Sequence, residues 1–156
     1  GEAVTPVVHG DALLLNHDQE ADSVLYCLDA ATGKTRWAAK RDEKSSWNTP
    51  LVVEHSGKTQ VILSGATRIR SHDLATGDVI WECGGMTVNP IPSAVKFGDS
   101  VVCMSGYKGS AAVSVPLDSK GDLGEGGKVN WRHSGGTPYV PSPALVGDRL
   151  YFTGLN

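Results

Sequence analysis

The sequence predicts an all-β chain, a β-propeller fragment of about three and a half four-stranded blades, and three observations carry that prediction. A motif of the form Asp-x-x-Thr-Gly-x-x-x-Trp occurs at Asp29, Thr32, Gly33 and Trp37. It recurs 44 residues on at Asp73, Thr76, Gly77 and Trp81. Thr5-Pro6 is echoed by Thr49-Pro50 at the same interval, and short apolar runs separated by turn residues fill the space between. A fixed period in the forties with four short strands per unit is the signature of a propeller array.

The motif has a physical reading. Each copy joins two apolar runs through a tight turn, and the Gly after Thr suits a position with φ > 0. Asp29 and Asp73 can accept from backbone N–H groups of their own turns, while Thr32 and Thr76 cap the same loops. Trp37 and Trp81 fall on the outgoing strand, where a large ring can dock against the neighbouring blade. Burying such a ring stabilises by roughly 3 kcal/mol or more.

In chain order, the whole of 1–156 divides into blades at about 4–40, 47–84 and 90–134, with a partial blade at 139–156. The first runs through Thr5–Val8, Ala12–Leu15, Val24–Leu28 and Thr35–Ala38. The second repeats the plan with the shortest loops: Thr49–Val53, Gln60–Leu63, Arg68–His72 and Val79–Trp81. The third starts at Ile91–Val95, continues through Val101–Met104 and Ala111–Val115, and closes at Val129–His133. Trp131 follows Trp81 by 50 residues, because the last hairpin of this blade is expanded across 116–127. That insertion reads as a solvated hairpin tip, a place where propellers tolerate extra residues. Pro141–Leu145 and Leu150–Phe152 begin a fourth unit.

Composition narrows the function. The formal charge is −3, with Lys and Arg scattered, so no basic stripe suggests nucleic acid. No apolar run is long enough to span a bilayer as a helix. Cys27, Cys83 and Cys103 lack zinc-site spacing and read as buried thiols, although spacing alone leaves a disulfide open. Three and a half blades fall short of the typical four to eight of a closed ring. Open sheet edges recruit partners, so the fragment is expected to self-associate through them.

These residues carry a family resemblance. Leu28 to Trp37 resembles the tryptophan-docking motif of PQQ-like β-propellers, the quinoprotein dehydrogenase-like superfamily. Val129–His133 with Gly136–Pro143 is similar to a bacterial subgroup of secreted PQQ-like repeat proteins. The resemblance implies a periplasmic or extracellular location and three classes of function. Dehydrogenases of the superfamily bind PQQ and calcium on the ring axis, above an adjacent Cys-Cys disulfide and with an Asp base. This sequence has no such pair, so no cofactor is expected in this segment; PQQ and calcium would need a site supplied by the full ring. The other classes are a scaffold of the outer-membrane barrel-assembly machinery and the sensor propeller of a bacterial serine/threonine kinase.

The candidates for chemistry are few. Asp118 to Glu125 alternates acidic residues in a Gly-rich loop, but Lys120 stands where a calcium ligand belongs. No metal site is expected, and no catalytic residue. His72 and His133 have no nucleophile or second His at a useful spacing. The loops entering each innermost strand are more informative. Ser46-Trp47-Asn48, Val88-Asn89-Pro90 and Pro138-Tyr139-Val140 fall at matching places, where propeller loops gather around the axial mouth. Trp47, Asn48, Asn89 and Tyr139 are candidate ligand contacts, and Arg68, alternating with Arg70 on one strand, is a candidate for an axial funnel. The expected function is a non-catalytic binding or scaffold module that recognises a protein or a small polar ligand through loops on one face.

Overall fold

The computed structural model describes residues 4–154, which form strands and no helix. The first sheet holds β1 (Val7–His9), β2 (Ala12–His17), β3 (Val24–Asp29) and β4 (Thr35–Lys40), antiparallel and in chain order. The second holds β5 (Leu51–His55), β6 (Lys58–Leu63), β7 (Arg68–Asp73) and β8 (Val79–Gly84) in the same order. The third is built from β9 (Val95–Phe97), β10 (Ser100–Ser105) and β11 (Ala111–Pro116), and closes with β13 (Trp131–His133). A hairpin of β14 (Ala144–Val146) and β15 (Arg149–Tyr151) follows. The result is the all-β propeller architecture, three blades and the start of a fourth.

One element departs from the sequence reading. The 116–127 insertion is not a free hairpin tip. Its β12 (Gly121–Asp122) lies parallel to β8 and makes the second sheet five-stranded. Two further differences are of extent. β9 begins at Val95 rather than Ile91, and β13 at Trp131 rather than Val129, because the preceding residues bond outside the ladder. Asn130 illustrates this: its N–H donates to the Ser114 carbonyl, and its side chain reaches Ser100.

Burial follows from sheets stacked face to face. β2 alternates buried and half-buried residues with the two-residue period of a strand. The middle strands of the second and third sheets have neighbours on both faces, so Val61–Leu63 and Val101–Met104 are buried continuously. Leu14, Leu25 and Cys27 pack with Val61 and Leu63 between the first two sheets. Ile62, Ile69, Trp81 and Cys83 pack with Cys103, Val113, Val115 and Leu117 between the second and third. Val102, Met104 and Ala112 meet Leu150 of the following hairpin. All three cysteines are free and buried, and burial pushes the Cys103 thiol up to about 12.

The repeated turns share their glycine bonds and their Thr32 and Thr76 hydroxyl contacts to the N–H groups of Lys34 and Asp78, but the two Asp carboxylates accept from different positions. Asp29 Oδ1 accepts from Thr32 N–H at 2.9 Å, and Asp73 Oδ1 from Ala75 N–H at 2.8 Å. Gly33 and Gly77 N–H donate to the carbonyls of Asp29 and Asp73, both at 2.8 Å, with φ of 70° and 82°. Each repeat also carries a register shift at the same place, between Cys27 and Leu28 and between Ser71 and His72.

The tryptophans cross from sheet to sheet. Trp37 Nε1–H donates to the Leu74 carbonyl at 2.8 Å, and its ring lies over Gly77 of the next turn. Trp81 reaches the equivalent carbonyl, that of Leu117, only through a relay. Its Nε1–H donates to Gln60 Oε1 at 3.2 Å, and Gln60 Nε2 donates to Leu117 O at 2.7 Å. Trp131 is 40% exposed.

The contact over Gly77 makes a comparative prediction. A Cβ on Gly77 would stand 2.7 Å from the Trp37 ring, whereas one on Gly33 would meet nothing within 4 Å. Gly33→Ala therefore bears only the cost of a left-handed backbone, about 1 kcal/mol. Gly77→Ala adds overpacking and is expected to cost about 3 kcal/mol in total. Urea denaturation of the two variants measures the difference.

Candidate binding face at the blade-entry loops

Each loop between blades leaves an outer strand, crosses one end of the molecule and enters the next inner strand. Bonds between successive loops hold them together. Trp47 N–H donates to the Pro90 carbonyl at 3.0 Å. Thr49 N–H donates to Ser93 Oγ, and Ser93 N–H to Ser142 Oγ, each at 3.0 Å. These hydroxyls occupy equivalent places in successive blades, so the second blade's entry is pinned to the third and the third's to the fourth through the same chemistry. The sequence signal was a hydroxyl residue repeating at 44 and 49 residues, which reasoning from apolar runs passes over.

Beneath the loops lies a charged frame. Arg41 and Asp18 have fully buried side chains and pair at 2.8 Å, and Asp18 also accepts from Ser46 Oγ at 2.6 Å. Glu43 is buried and accepts from the N–H groups of Thr67 and Arg68, both at 2.8 Å. Arg70 fastens the frame to the second sheet, binding Glu43 at 3.2 Å, Glu82 at 2.7 Å and also Asp42. Burial raises the Glu43 carboxyl above its ordinary range, against the pull of those backbone donors and of Arg41 and Arg70. His72, on the same face of β7 as Arg70, is pushed down to about 4 by burial and donates through Nδ1 to the Gly77 carbonyl. It is a neutral packing residue.

The sequence candidates divide on this frame. Asn48 is fully buried and brackets one residue: its Nδ2 donates to the Ser64 carbonyl at 2.8 Å, and its Oδ1 accepts from Ser64 N–H at 3.2 Å. Arg68 lies two strands out from the inner strand β5 and pairs with Asp122 of β12 at 3.0 Å. Both it and Arg70 are tied into ion pairs. Trp47 and Asn89 are half-exposed and adjacent, with Asn89 in a left-handed conformation (φ 54°) just before the Pro90 carbonyl that Trp47 uses. Tyr139 stacks on Tyr107, with ring centroids 4.8 Å apart and planes 22° from parallel.

Tyr107 is the partner that sequence reasoning missed, because the β10–β11 loop carries no repeat signal. Lys108 extends the same surface, its Nζ 5.4 Å from the Tyr107 centroid. Thr137 anchors the underside, its hydroxyl donating to the Ser105 carbonyl at 2.6 Å and accepting from Ala111 N–H. Thr87 lies against Gly109, which places exposed Val88 beside the same loop, and Val140 projects next to Tyr139. Apolar groups thus stand exposed beside the aromatic stack, while the charges of the Asp18–Arg41 and Glu43–Arg70 frame are paired with one another. Among the described residues no group of three or more His, Cys, Asp or Glu side chains is arranged to hold a metal ion.

Stacked four-stranded sheets in chain order, with Trp37 of the first bonded to the turn of the second, have the architecture of a PQQ-like β-propeller. The family model described as outer membrane protein assembly factor BamB matches residues 1–154, and the chain belongs to that family. In fold it resembles BamB from Moraxella catarrhalis, with a TM-score of 0.63 at 15% identity over 97% of this chain and 58% of that one. It also resembles a europium-containing methanol dehydrogenase, with a TM-score of 0.59 at 13% identity over 85% of this chain and 25% of that one. In sequence it is 30% identical over 91 residues to the lanthanide-dependent methanol dehydrogenase of Methylorubrum extorquens, covering 54% of this chain and 14% of that protein. The chain therefore spans little more than half of the BamB structure and a small part of the dehydrogenases.

Proposed function

We propose that this chain is a non-catalytic binding and scaffold part of a PQQ-like propeller working outside the cytoplasm, and that its entry-loop face recognises a protein partner. The observation that carries the reading is the stacked Tyr107–Tyr139 pair, flanked by exposed Val88 and Val140, on loops that Thr137 and Ser105 hold by hydrogen bonds. Rigid aromatic groups present large contact area at little entropic cost, which suits recognition of a protein surface. The family description, an outer membrane assembly factor, fits a scaffold role outside the cytoplasm.

The second reading, a piece of a PQQ-dependent dehydrogenase, draws support from the 30% identity over 91 residues. The residues here do not fit that site. Cys27, Cys83 and Cys103 are single buried thiols on three separate strands, not the adjacent pair associated with quinoprotein dehydrogenases. No catalytic step is therefore assigned to this chain.

A photo-crosslinker placed at Val140 of the full-length protein in its own cell envelope tests the binding reading. A discrete protein adduct is expected from Val140, and none from Lys58 at the opposite end of the blades. The double variant Tyr107→Ala/Tyr139→Ala is expected to reduce the adduct at least tenfold, about 1.4 kcal/mol of binding or more, with little change in melting temperature. An adduct of undiminished yield in the double variant contradicts the proposal.

A further inference from the structure

The chain extends one of its own blades, and the same outer edge stands open on another. Residues 121–124 run parallel to β8, with Gly121 opposite Trp81 and Asp122 opposite Glu82. Leu123 N–H donates to the Glu82 carbonyl at 2.8 Å, and Gly84 N–H donates to the Gly124 carbonyl at 3.0 Å. An ion pair between Arg68 and Asp122 fastens the strap from the side.

The 44-residue repeat transfers this edge to the first blade with one difference: a Cβ at Gly84 would stand 2.8 Å from the Glu125 Cα, so a segment beside Lys40 must leave the edge after the position of Gly124. Trp81, Glu82 and Gly84 correspond to Trp37, Ala38 and Lys40, and the pairings Tyr26↔Ala38 and Val24↔Lys40 match Arg70↔Glu82 and Arg68↔Gly84. The Ala38 carbonyl and the Lys40 N–H therefore face outward, as the Glu82 carbonyl and the Gly84 N–H do. β4 has β3 as its one strand neighbour among the described residues. It is six residues long, against three for β13, and it offers small side chains at Ala38 and Ala39. Lys34 and Lys40 flank it, and no carboxylate of the described residues lies within 4 Å of either in an ion pair. An unpaired edge of this length is a template for strand addition, with main-chain hydrogen bonds supplying affinity and flanking charges supplying preference.

We propose that the outer edge of β4 accepts an extended, acidic segment of a partner protein, which adds parallel to β4 as the strap at 121–124 adds to β8. The occupant is defined by that chemistry: a free extended backbone to meet Ala38 and Lys40, and carboxylates to meet Lys34 and Lys40. The site is distinct from the entry-loop face and stands or falls separately.

The probe is a synthetic peptide with the sequence of residues 117–124, titrated into the isotopically labelled protein. Saturable binding is expected, with amide exchange at Lys40 slowed at least tenfold. Lys40→Pro removes the outward N–H at an edge position that tolerates proline, and is expected to weaken binding at least tenfold. Lys40→Ala keeps the N–H and is expected to weaken binding only two- to threefold, a loss that disappears at high salt. The exchange measurement on the unaltered protein keeps the test decisive if the proline variant folds poorly. Protection confined to β13 or the entry loops, or no saturation below about 1 mM, overturns the proposal. So does equal affinity in a folded Lys40→Pro variant. Loss of the Tyr107–Tyr139 surface is expected to leave peptide binding unchanged, so failure of one proposal is separable from failure of the other.

Discussion

Trp81→Ala is expected to lower the free energy of unfolding by about 3–5 kcal/mol, the range for truncating a buried aromatic ring. That is a large part of the 5–15 kcal/mol a folded domain has in hand. Trp81 is fully buried and touches both sheets of its cluster, so its removal opens a cavity between blades rather than within one. Gln60 Oε1 keeps the Ser71 hydroxyl at 2.7 Å after the truncation, so the loss is mainly of packing. Trp37→Ala is expected to cost less, because its ring is half-exposed, and Trp131→Ala least, at 40% exposure. Urea denaturation of the three variants gives the order directly. Equal costs would mean that the rings do not act through the contacts between blades.

Arg70→Ala is the second large effect, and its cause is electrostatic. The substitution strands Glu43, whose side chain is fully buried, with only two backbone N–H donors and a more distant Arg41. Removing one partner of a buried pair costs about 3–5 kcal/mol where nothing else compensates; the two backbone donors and Arg41 that remain bring the expected loss to about 2–3 kcal/mol. The pH dependence has a definite sign. Glu43 already has a folded pKa above its unfolded value, and removing Arg70 raises it further. The folded state of the variant then binds the extra proton, so its stability is greater in acid and is lost as pH rises through the raised value. Unfolding midpoints of Arg70→Ala at pH 5 and pH 7 test this. Adding Glu43→Gln to the variant is expected to restore stability at pH 7 and flatten its pH dependence.

The parts of the fold readable from the sequence are those that repeat. Gly33 and Gly77 share one local geometry, as do the Thr32 and Thr76 hydroxyls, and a local turn states its requirements in adjacent residues. The strap at Gly121–Asp122 is not local. Two residues of parallel pairing leave no periodic pattern, and their position depends on an edge formed some forty residues earlier. The ion pairs of Arg68 and Arg70 are silent in sequence for a related reason. Alternation says that two side chains share a face of a strand, but not whether that face meets the axis, solvent or the next blade. Here it meets Glu43 and Asp122, and the charges are spent on structure.

The candidate face divides along the same line. Trp47, Asn89 and Tyr139 stood out because their loops recur at matching places, and the structure sets these loops side by side along the same end of the blades. Asn48 recurs in position too, yet its amide is consumed by Ser64, a pairing decided by the end of β6 rather than by the entry loop. Tyr107 lies in a loop with no counterpart, and only the three-dimensional stack with Tyr139 discloses it. The Gln60 relay is equally silent in sequence, because one Gln on a strand says nothing of the Trp81 and Leu117 it joins.

The separation of a binding propeller from a dehydrogenase is tested most directly by titrating the full-length protein with PQQ, in the presence of calcium and then of a lanthanide. Quinone absorbance and melting temperature are followed together. A recognition module predicts no saturable spectral change and no rise in melting temperature. One-to-one binding with a raised melting temperature, accompanied by dye-linked methanol oxidation, would contradict it and return the chain to the dehydrogenases.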